Sequence, residues 1–498
     1  MSKRNIAIVT FALLLSNAMG GIDSTIVNTA MPAIIADLHG IELMGWIVAI
    51  FLLGTAISTP LWSKLGERMG NKLAYELAAL FFVVGSFLQG MAPNMWFLII
   101  TRAIAGIGNG GMVSLPYIIY AELYANPRKR MQVLGLVSAS FSTATIIGPL
   151  LGGWIVDTFS WHWIFYINVP IGLLSALLVQ AFFKETRRAH RASKVDYAGA
   201  VLLSLGLVLL LTATEMIGAT DGKTLTGMFV GAAILLGILV RVEARAADPI
   251  IPGRLFKNKD LIMDFLLFTI IWGAFMGFVV YAPMWAQALL GVSALVGGAT
   301  QIPGSFTNFG GSALVAPLRS YLSPQKVIAL GTWTLVGTFI IMTLLGEHGS
   351  YWWLMLAGAL EGFGNGMCFN ELQIKVQQDA EVQDVPVATS FSFLIRMLAQ
   401  TFATAIFGII MNNALRSGVQ AANGRITIKM MNKLSDAGSS ASLPQNLLPK
   451  MRSIMFTGLH NIMILGLILM LVAAALNLWA EAGRSAETGT GVICSFYS

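Results

Sequence analysis

Long apolar runs separated by short polar connections fill most of the chain. The hydrocarbon core of a bilayer requires about 20 mainly apolar residues in each helix that crosses it. By that criterion the pattern predicts fourteen membrane spans, near residues 6–30, 43–62, 74–91, 96–118, 132–156, 162–183, 196–217, 225–242, 262–286, 294–316, 327–346, 352–372, 388–411 and 455–479. The first run is longer than the apolar region of a signal peptide, about 7 to 15 residues, so we expect it to remain as an uncleaved span.

Positive charge is concentrated in every second connection between these spans. Lysine and arginine cluster near residues 64–72, 128–130, 184–194, 241–259 and 319–326, whereas "HGIE", "MAPN", "GATDGKT" and "GEHGS" carry almost none. Because cytoplasmic loops of membrane proteins are enriched in lysine and arginine, the clusters indicate the cytoplasmic side. An even number of spans then predicts that both termini are cytoplasmic.

One connection departs from this alternation. Residues 412–452 fall outside by count, yet they contain Arg416, Arg425, Lys429, Lys433, Lys450 and Arg452. Either the count is wrong by one, or the segment is a structured external element. We favour the external element, because "QAANGRITIKMMNKL" mixes apolar and basic residues as a hairpin or helix at a membrane surface does.

The composition supports a polytopic membrane protein and excludes several other classes. Of the 498 residues, 56% are hydrophobic and 11% are charged, against about 25% charged residues in soluble domains. The net charge of +7 does not indicate nucleic-acid binding, because no soluble stretch is long enough to form a basic patch. Two distant cysteines, Cys368 and Cys494, exclude a cysteine zinc site. We find no histidine motif for a metal, no catalytic constellation and no ATP-binding loop, so we expect neither an enzyme nor a cofactor.

A repeated motif suggests that the chain is duplicated. "AIAGIGNGGM" at Ala103–Met112 recurs 256 residues later as "ALEGFGNGMC" at Ala359–Cys368. If spans 7 and 8 are an insertion, span 12 becomes the counterpart of span 4 in a six-plus-six arrangement, which is typical of transporters. We therefore expect one half at 1–190, two inserted helices at 191–259, a second half at 260–480 with the external segment 412–452, and a cytoplasmic tail at 481–498. Most of the repeated glycines are interpreted as helix-packing residues.

Five ordered motifs carry a family resemblance that covers nearly the whole chain. They are "GIDSTIVNTAMP" from Gly21, "SKLGERMGNK" from Ser63, "RAIAGIGNG" from Arg102, "GPLLGGW" from Gly148 and "WHWIFYINVPIG" from Trp161. In this order and on these spans, they resemble the motifs of the major facilitator superfamily, specifically its fourteen-span drug:proton antiporter family. The chain departs from the second motif at Ser63, Glu67 and Asn71, and from the fifth at His162.

The resemblance implies an all-α fold of two six-helix halves with two extra central helices. It also implies a monomer in the cell membrane that needs no cofactor, is driven by a proton gradient and carries small hydrophobic or cationic substrates. Glu67, Arg68 and Gly70 would belong to a gating motif, and Gly148, Pro149, Gly152 and Gly153 to the antiporter motif. Arg102 stands where the family has an arginine associated with proton transfer.

Three charged residues within predicted spans are the main candidates for proton or substrate coupling. A charge at the bilayer centre is costly and usually marks an ion or substrate pathway. Asp23 shares a helix face with small and weakly polar residues, and its alternative role is only to hold Arg102 in place. Arg102 lies on one face with Asn109, although it could instead extend to the outer surface. Glu361 shares a face with Asn365, and we expect it to be protonated much of the time or to be a neutral acid hydrogen-bonded to another helix.

Further candidates have weaker support. Asp264 is expected near the cytoplasmic interface, and Arg396 could pair with Glu371 or Glu361 or anchor at the interface. Trp272 and Tyr281 belong to an aromatic and methionine-rich span that could bind varied apolar ligands, but such residues more often face lipid, neighbouring helices or the interfacial belt.

These observations favour an exporter of hydrophobic, cationic compounds that works by proton antiport and alternating access. The alternative on the same fold is an exporter of an endogenous metabolite, lipid or siderophore. A more polar or anionic cargo would call for additional cations, and only Arg102 and Arg396 are available within the spans.

Overall fold

The computed structural model describes residues 2–124, 126–185, 197–217, 220–243, 253–381, 384–435 and 437–494. Over these ranges the chain is helical and contains no strand. The first helices are α1 (Lys3–Leu38), α2 (Met44–Met69), α3 (Asn71–Gly90), α4 (Met95–Leu123), α5 (Pro127–Thr158), α6 (Trp163–Tyr166), α7 (Asn168–Phe182), α8 (Tyr197–Glu215) and α9 (Gly222–Glu243). They are followed by α10 (Lys259–Leu290), α11 (Ala294–Ala299), α12 (Ile302–Leu318), α13 (Pro324–Leu344), α14 (Tyr351–Asp379), α15 (Val385–Ala421), α16 (Ile428–Leu434), α17 (Ala437–Ser440) and α18 (Leu448–Cys494).

Local sequence signals explain several helix ends. The side chains of Ser2, Asn94, Ser323 and Thr427 each accept a hydrogen bond from a backbone N–H in the first turn of the following helix, as N-cap residues do. Gly70 separates α2 from α3 with φ of 98°, a conformation that glycine adopts without steric cost.

Ten helical segments within the described ranges are long and apolar enough to cross a membrane, and the chain is therefore a multi-pass membrane protein. The count of fourteen stays a prediction. Two predicted spans are each divided: 162–183 contains α6 and α7, and 294–316 contains α11 and α12. The segment 412–452 contains the end of α15, the short helices α16 and α17 and the start of α18.

The helices form two compact units. Unit 1 comprises Met1–Pro252, Val280–Ala299 and Thr401–Leu459, and unit 2 comprises Gly253–Val279, Thr300–Gln400 and His460–Ser498. Within unit 1, α16 packs against the end of α1: the Ile41 N–H donates to Asn432 Oδ1 over 3.2 Å, and the Ser435 hydroxyl donates to the Pro32 carbonyl over 3.4 Å. The segment predicted to be structured is thus fixed to the connection between α1 and α2.

The repeated glycines bring helices together in each unit. In unit 1, a Cβ at Gly106 would lie 2.5 Å from the Phe51 carbonyl of α2, and one at Gly108 would lie 2.6 Å from the Ala78 carbonyl of α3. In unit 2, a Cβ at Gly364 would lie 2.6 Å from the Gly331 carbonyl of α13, and one at Gly362 would overlap Gly304 of α12. The triplet α2–α3–α4 therefore has a counterpart in α12–α13–α14, as the repeat predicts.

Candidate functional site

A buried ion pair lies inside unit 1. Arg102 Nη1 of α4 is 3.1 Å from Asp23 Oδ2 of α1, and the two side chains are 3% and 1% exposed. The other carboxylate oxygen, Oδ1, accepts a hydrogen bond from Asn168 Nδ2 of α7 over 3.0 Å. Both oxygens of Asp23 therefore have a partner, and Arg102 does not extend to the surface.

Additional contacts hold the Arg102 guanidinium in place. Its Nε donates to the Ile47 carbonyl over 3.3 Å, its Nη1 reaches Gln89 Oε1 over 3.5 Å, and its Cζ lies 3.9 Å from the centre of the Phe51 ring. A cation over an aromatic face is stabilised by the ring quadrupole. The arginine thus bridges α1, α2, α3 and α4 within unit 1.

Asn109, the repeat asparagine of α4, lies about two turns beyond Arg102 on the same helix. Its Nδ2 donates to Thr55 Oγ1 over 3.2 Å, and its Oδ1 would be 3.4 Å from a Cβ at Gly20, which is on α1. Its buried side chain therefore links α4 to α2 beside the helix that carries Asp23.

Glu361 has a different environment in unit 2. Its side chain is 5% exposed, and its Oε1 has no hydrogen-bond partner among the residues that the structure describes. The other oxygen, Oε2, faces α12, where a Cβ at Gly304 would lie 3.2 Å from it. One helical turn further along α14, Asn365 Oδ1 is likewise buried without a partner in the described part of the chain. Two buried acceptors without a partner among the described residues therefore lie on one face of α14.

Asp264 of α10 is buried within unit 2 and forms an ion pair with a lysine of α14. It is fully buried, and its Oδ1 lies 2.5 Å from Lys375 Nζ of α14. The same Nζ is 2.8 Å from Asp379 Oδ2. The sequence interpretation missed Lys375 because the predicted span ended at residue 372, although Lys375 stands one turn before Asp379 on α14.

Glu371, one of the two acids considered as partners of Arg396, forms an ion pair with a different arginine. Glu371 instead forms a bidentate ion pair with Arg319 of α12, with Arg319 Nη2 to Glu371 Oε1 at 2.6 Å. The Arg396 guanidinium lies over the rings of Phe369 and Phe393, 4.8 and 4.7 Å from their centres. Arg319 occurs in a predicted loop, and sequence reasoning offered no signal that it would reach Glu371.

The aromatic candidates are buried, each in its own unit. Trp272 is 3% exposed in unit 2 and contacts the ring of Phe369, with centres 5.7 Å apart. Tyr281 is fully buried in unit 1 and contacts Phe407 edge to face. Neither side chain lies in an exposed interfacial belt.

The antiporter motif packs α5 against two other helices of unit 1. A Cβ at Gly152 would lie 2.6 Å from Ile26 of α1, and one at Gly148 would overlap Thr25 of the same helix. On the other side, a Cβ at Gly153 would overlap Leu295 of α11, and the Pro149 carbonyl lies 2.5 Å from a Cβ placed at Gly298. These glycines therefore allow close helix contacts.

The gating motif is described in part. Gly70 forms the turn between α2 and α3 and Arg68 is exposed, whereas the side chain of Glu67 lies outside the described residues. The N–H of Asn71, the residue after the turn, donates to Glu185 Oε1, and its Nδ2 donates to Glu122 Oε1. The motif's turn is thus held by two carboxylates. Over the described residues, no group of three histidine, cysteine, aspartate or glutamate side chains could hold a metal ion.

Repeated triplets of membrane-length helices with buried charges among them are typical of membrane transporters. Residues 13–404 match the family profile described as Major Facilitator Superfamily, and the chain belongs to this superfamily. Its members are transporters, not enzymes, and they are in general driven by ion gradients and need no cofactor.

Relatives and solved structures agree with this assignment. The chain is 30% identical over 496 residues to Multidrug resistance protein 3 of Bacillus subtilis (strain 168), covering 96% of each sequence. It is 29% identical over 512 residues to the Multidrug transporter protein MdtP of the same organism, covering 96% of this chain and 93% of the relative. A crystal structure of a bacterial homologue of the human lysosomal transporter Spinster, inward-facing and unoccupied, aligns with a TM-score of 0.67 at 15% identity, covering 96% of this chain and 98% of that one. At that identity the likeness shows the fold alone.

Proposed function

We propose that this protein exports hydrophobic, cationic compounds from the cell in exchange for protons. Two relatives of nearly equal length are named as multidrug proteins, which supports the class of substrate. The observation that carries the proton exchange is Glu361, a carboxylic acid buried in a membrane-length bundle with Oε1 unpartnered among the described residues.

A buried carboxyl group of this kind can take up and release a proton during the transport cycle. An isolated carboxylate away from water is costly, so the closed site favours the neutral acid. A substrate cation next to the oxygens would favour the carboxylate and release the proton. External protons reload the acid after the cation has left, which completes one exchange.

Asp23 has the complementary role in this proposal. Its charge is balanced by Arg102 and both of its oxygens are hydrogen-bonded, so it serves mainly to hold α1, α4 and α7 together. Proton exchange at Asp23 would require this pair to separate during the transport cycle.

The membrane arrangement follows the same proposal. We infer fourteen spans, with halves at 1–190 and 260–480 on either side of two inserted helices at 191–259, and with both termini and the tail 481–498 in the cytoplasm. The exchange then uses the inward proton gradient, which supplies about 2.3 kcal/mol for each charge moved across 100 mV.

The test is transport in proteoliposomes that contain purified protein. In wild-type vesicles with an acidic interior, ethidium added to the outside should accumulate inside. Collapse of the pH gradient should stop this accumulation. Glu361→Gln should lower the gradient-dependent rate at least about tenfold, because the amide cannot carry the exchanged proton. Glu347→Gln, the same change in the connection between α13 and α14, is the matched control and should retain the wild-type rate.

Two outcomes would refute the proposal. Full gradient-driven accumulation by Glu361→Gln would show that this acid does not carry the proton. Accumulation of anionic metabolites in place of ethidium would favour a metabolite exporter on the same fold.

A further inference from the structure

Segments that the sequence assigns to opposite halves of the transporter meet inside unit 1. Besides the helices of the predicted first half, this unit contains Val280–Ala299 and Thr401–Leu459, which belong to the predicted second half. Transporters built from two such halves open to each side in turn as the halves rock against each other. A contact that joins the halves at one end must therefore break whenever the protein opens at that end.

Asp157, near the end of α5, makes a direct contact of this kind. Its Oδ1 accepts a hydrogen bond from the Ala294 N–H over 3.2 Å, and its Oδ2 accepts one from the Leu295 N–H over 3.0 Å. These are the first two residues of α11, and the N–H groups of a first turn have no partner within their own helix. The carboxylate of Asp157 thus caps a helix of the other predicted half.

Two further polar contacts join the predicted halves at the same end of α1. Gln287 Nε2 of α10 donates to the Thr29 carbonyl of α1 over 3.2 Å, and Asn432 of α16 accepts the Ile41 N–H over 3.2 Å. Each of these bonds has a backbone group as one partner. Because a single hydrogen bond contributes little net free energy in a protein, contacts of this kind can break and form again in every cycle.

We propose that Asp157 is a gating residue, whose carboxylate holds α11 against α5 and must release it before the protein opens at this end. The inference rests on the proposed export function and its membrane arrangement, in which this end faces outward and substrate leaves there. The side chain of Asp157 is exposed, so water replaces the N–H donors when the contact breaks. The glycines of the antiporter motif bring the two helices together, and Asp157 adds a reversible bond between them.

The test measures how often the outer end opens. Thr29 is fully buried and is covered by α11, because a Cβ at Gly298 would lie 2.6 Å from Thr29 Cγ2. In Thr29→Cys, a soluble maleimide should therefore react only when α11 moves away, and protein without this cysteine gives the background. Adding Asp157→Ala should raise the labelling rate of the full-length protein in nanodiscs about fivefold, as expected when a helix cap is lost. Asp157→Asn keeps one acceptor oxygen and should give a smaller increase.

The matched control is another aspartate that caps a helix. Asp221 accepts the Thr224 N–H over 3.0 Å at the start of α9, but this bond lies within one connection and does not join the halves. Asp221→Ala should leave the labelling rate of Thr29→Cys within about twofold. A second cysteine, Ser86→Cys on α3, is placed where the wild-type side chain is 1% exposed, and it should stay unreactive in Asp157→Ala.

Three results would overturn the gating role. They are an unchanged labelling rate in Asp157→Ala, an equal increase in Asp221→Ala, and an equal increase at Ser86→Cys, which would indicate a general loss of stability. The labelling needs no gradient, so it is separable from transport. If Asp157→Ala speeds the labelling of Thr29→Cys but ethidium accumulation does not depend on the pH gradient, the exchange mechanism fails and the gating role stands. If the gradient drives ethidium through the wild-type protein but not through Glu361→Gln, and Asp157→Ala leaves the labelling unchanged, the gating role fails and the exchange stands.

Discussion

The helices α4 and α14 carry the same glycine motif but differ in how charge is held near it. In unit 1 the third motif position is Ala105, and the nearby carboxylate comes from α1 as Asp23, fully paired with Arg102 and Asn168. In unit 2 the third position is Glu361 itself, whose Oε1 has no partner in the described part of the chain. The close packing of helices is therefore repeated between α2–α3–α4 and α12–α13–α14, whereas the pairing of the buried charges is not.

This difference separates a structural charge from one that is available for exchange. A satisfied polar network makes its helices rigid, because each removal leaves another buried group unpaired. A buried acid without a partner contributes little to that rigidity and can respond to a proton or a ligand. The comparison therefore predicts that the same chemical change will act mainly on stability in unit 1 and mainly on transport in unit 2.

Arg102→Met is expected to have the largest effect on stability. It removes the cation and leaves Asp23 buried with only Asn168, and breaking one side of a buried ion pair costs about 3 to 5 kcal/mol. Thermal unfolding of the purified protein in detergent should show a large drop in Tm. The double variant Asp23→Asn with Arg102→Met should recover part of the loss, since it leaves no unpaired charge. A loss below about 1 kcal/mol in the single variant would contradict the structural role of the pair.

Gly362→Ala tests the close glycine packing that occurs in both units, and its effect on stability should be intermediate. Its Cβ would overlap the backbone of Gly304 on α12, and overpacking of this kind costs about 1 to 3 kcal/mol. Gly108→Ala should behave alike, because its Cβ would overlap Phe82 of α3. The control is Gly227→Ala on α9, where nothing lies within 4 Å and alanine should be neutral or stabilise by about 0.5 to 1 kcal/mol. Equal melting temperatures for all three variants would show that the glycine contacts do not hold the triplets together.

Much of the fold could be predicted from the sequence because membrane-spanning helices are recognised by their length and apolar composition. The periodic runs, the repeat and the ordered motifs led to the superfamily that the comparisons confirm. The division of predicted span 294–316 into α11 and α12 was missed, although Gln301 and the Pro303–Gly304 pair lie at the break between the two helices.

Residues of the candidate site could be predicted from the sequence where they belong to a motif. Their ion-pair partners could not be predicted where the partner lies far away in the chain. Asp23 and Arg102 each lie in a motif, and their pairing was considered. Asp264 was considered without a partner, and Lys375, 111 residues away in the chain, forms an ion pair with it. Glu371 and Glu361 were both considered as partners of Arg396, and the structure pairs Glu371 with Arg319. Charge pairing between helices depends on their packing, which composition does not specify.

Glu361→Gln should have the smallest effect on stability and gives the sharpest form of the comparison. The amide has nearly the same shape as the neutral acid, and Oε1 has no hydrogen bond to lose among the described residues, so we expect a change within about 1 kcal/mol. Asp23→Asn makes the equivalent acid-to-amide change in unit 1 and should cost several times more, because it leaves Arg102 as an unbalanced buried charge. Both melting temperatures can be measured in the same detergent at one pH. If Glu361→Gln destabilised the protein as much as Asp23→Asn, Glu361 would have a structural partner, and the contrast between a paired and an available carboxyl group would be wrong.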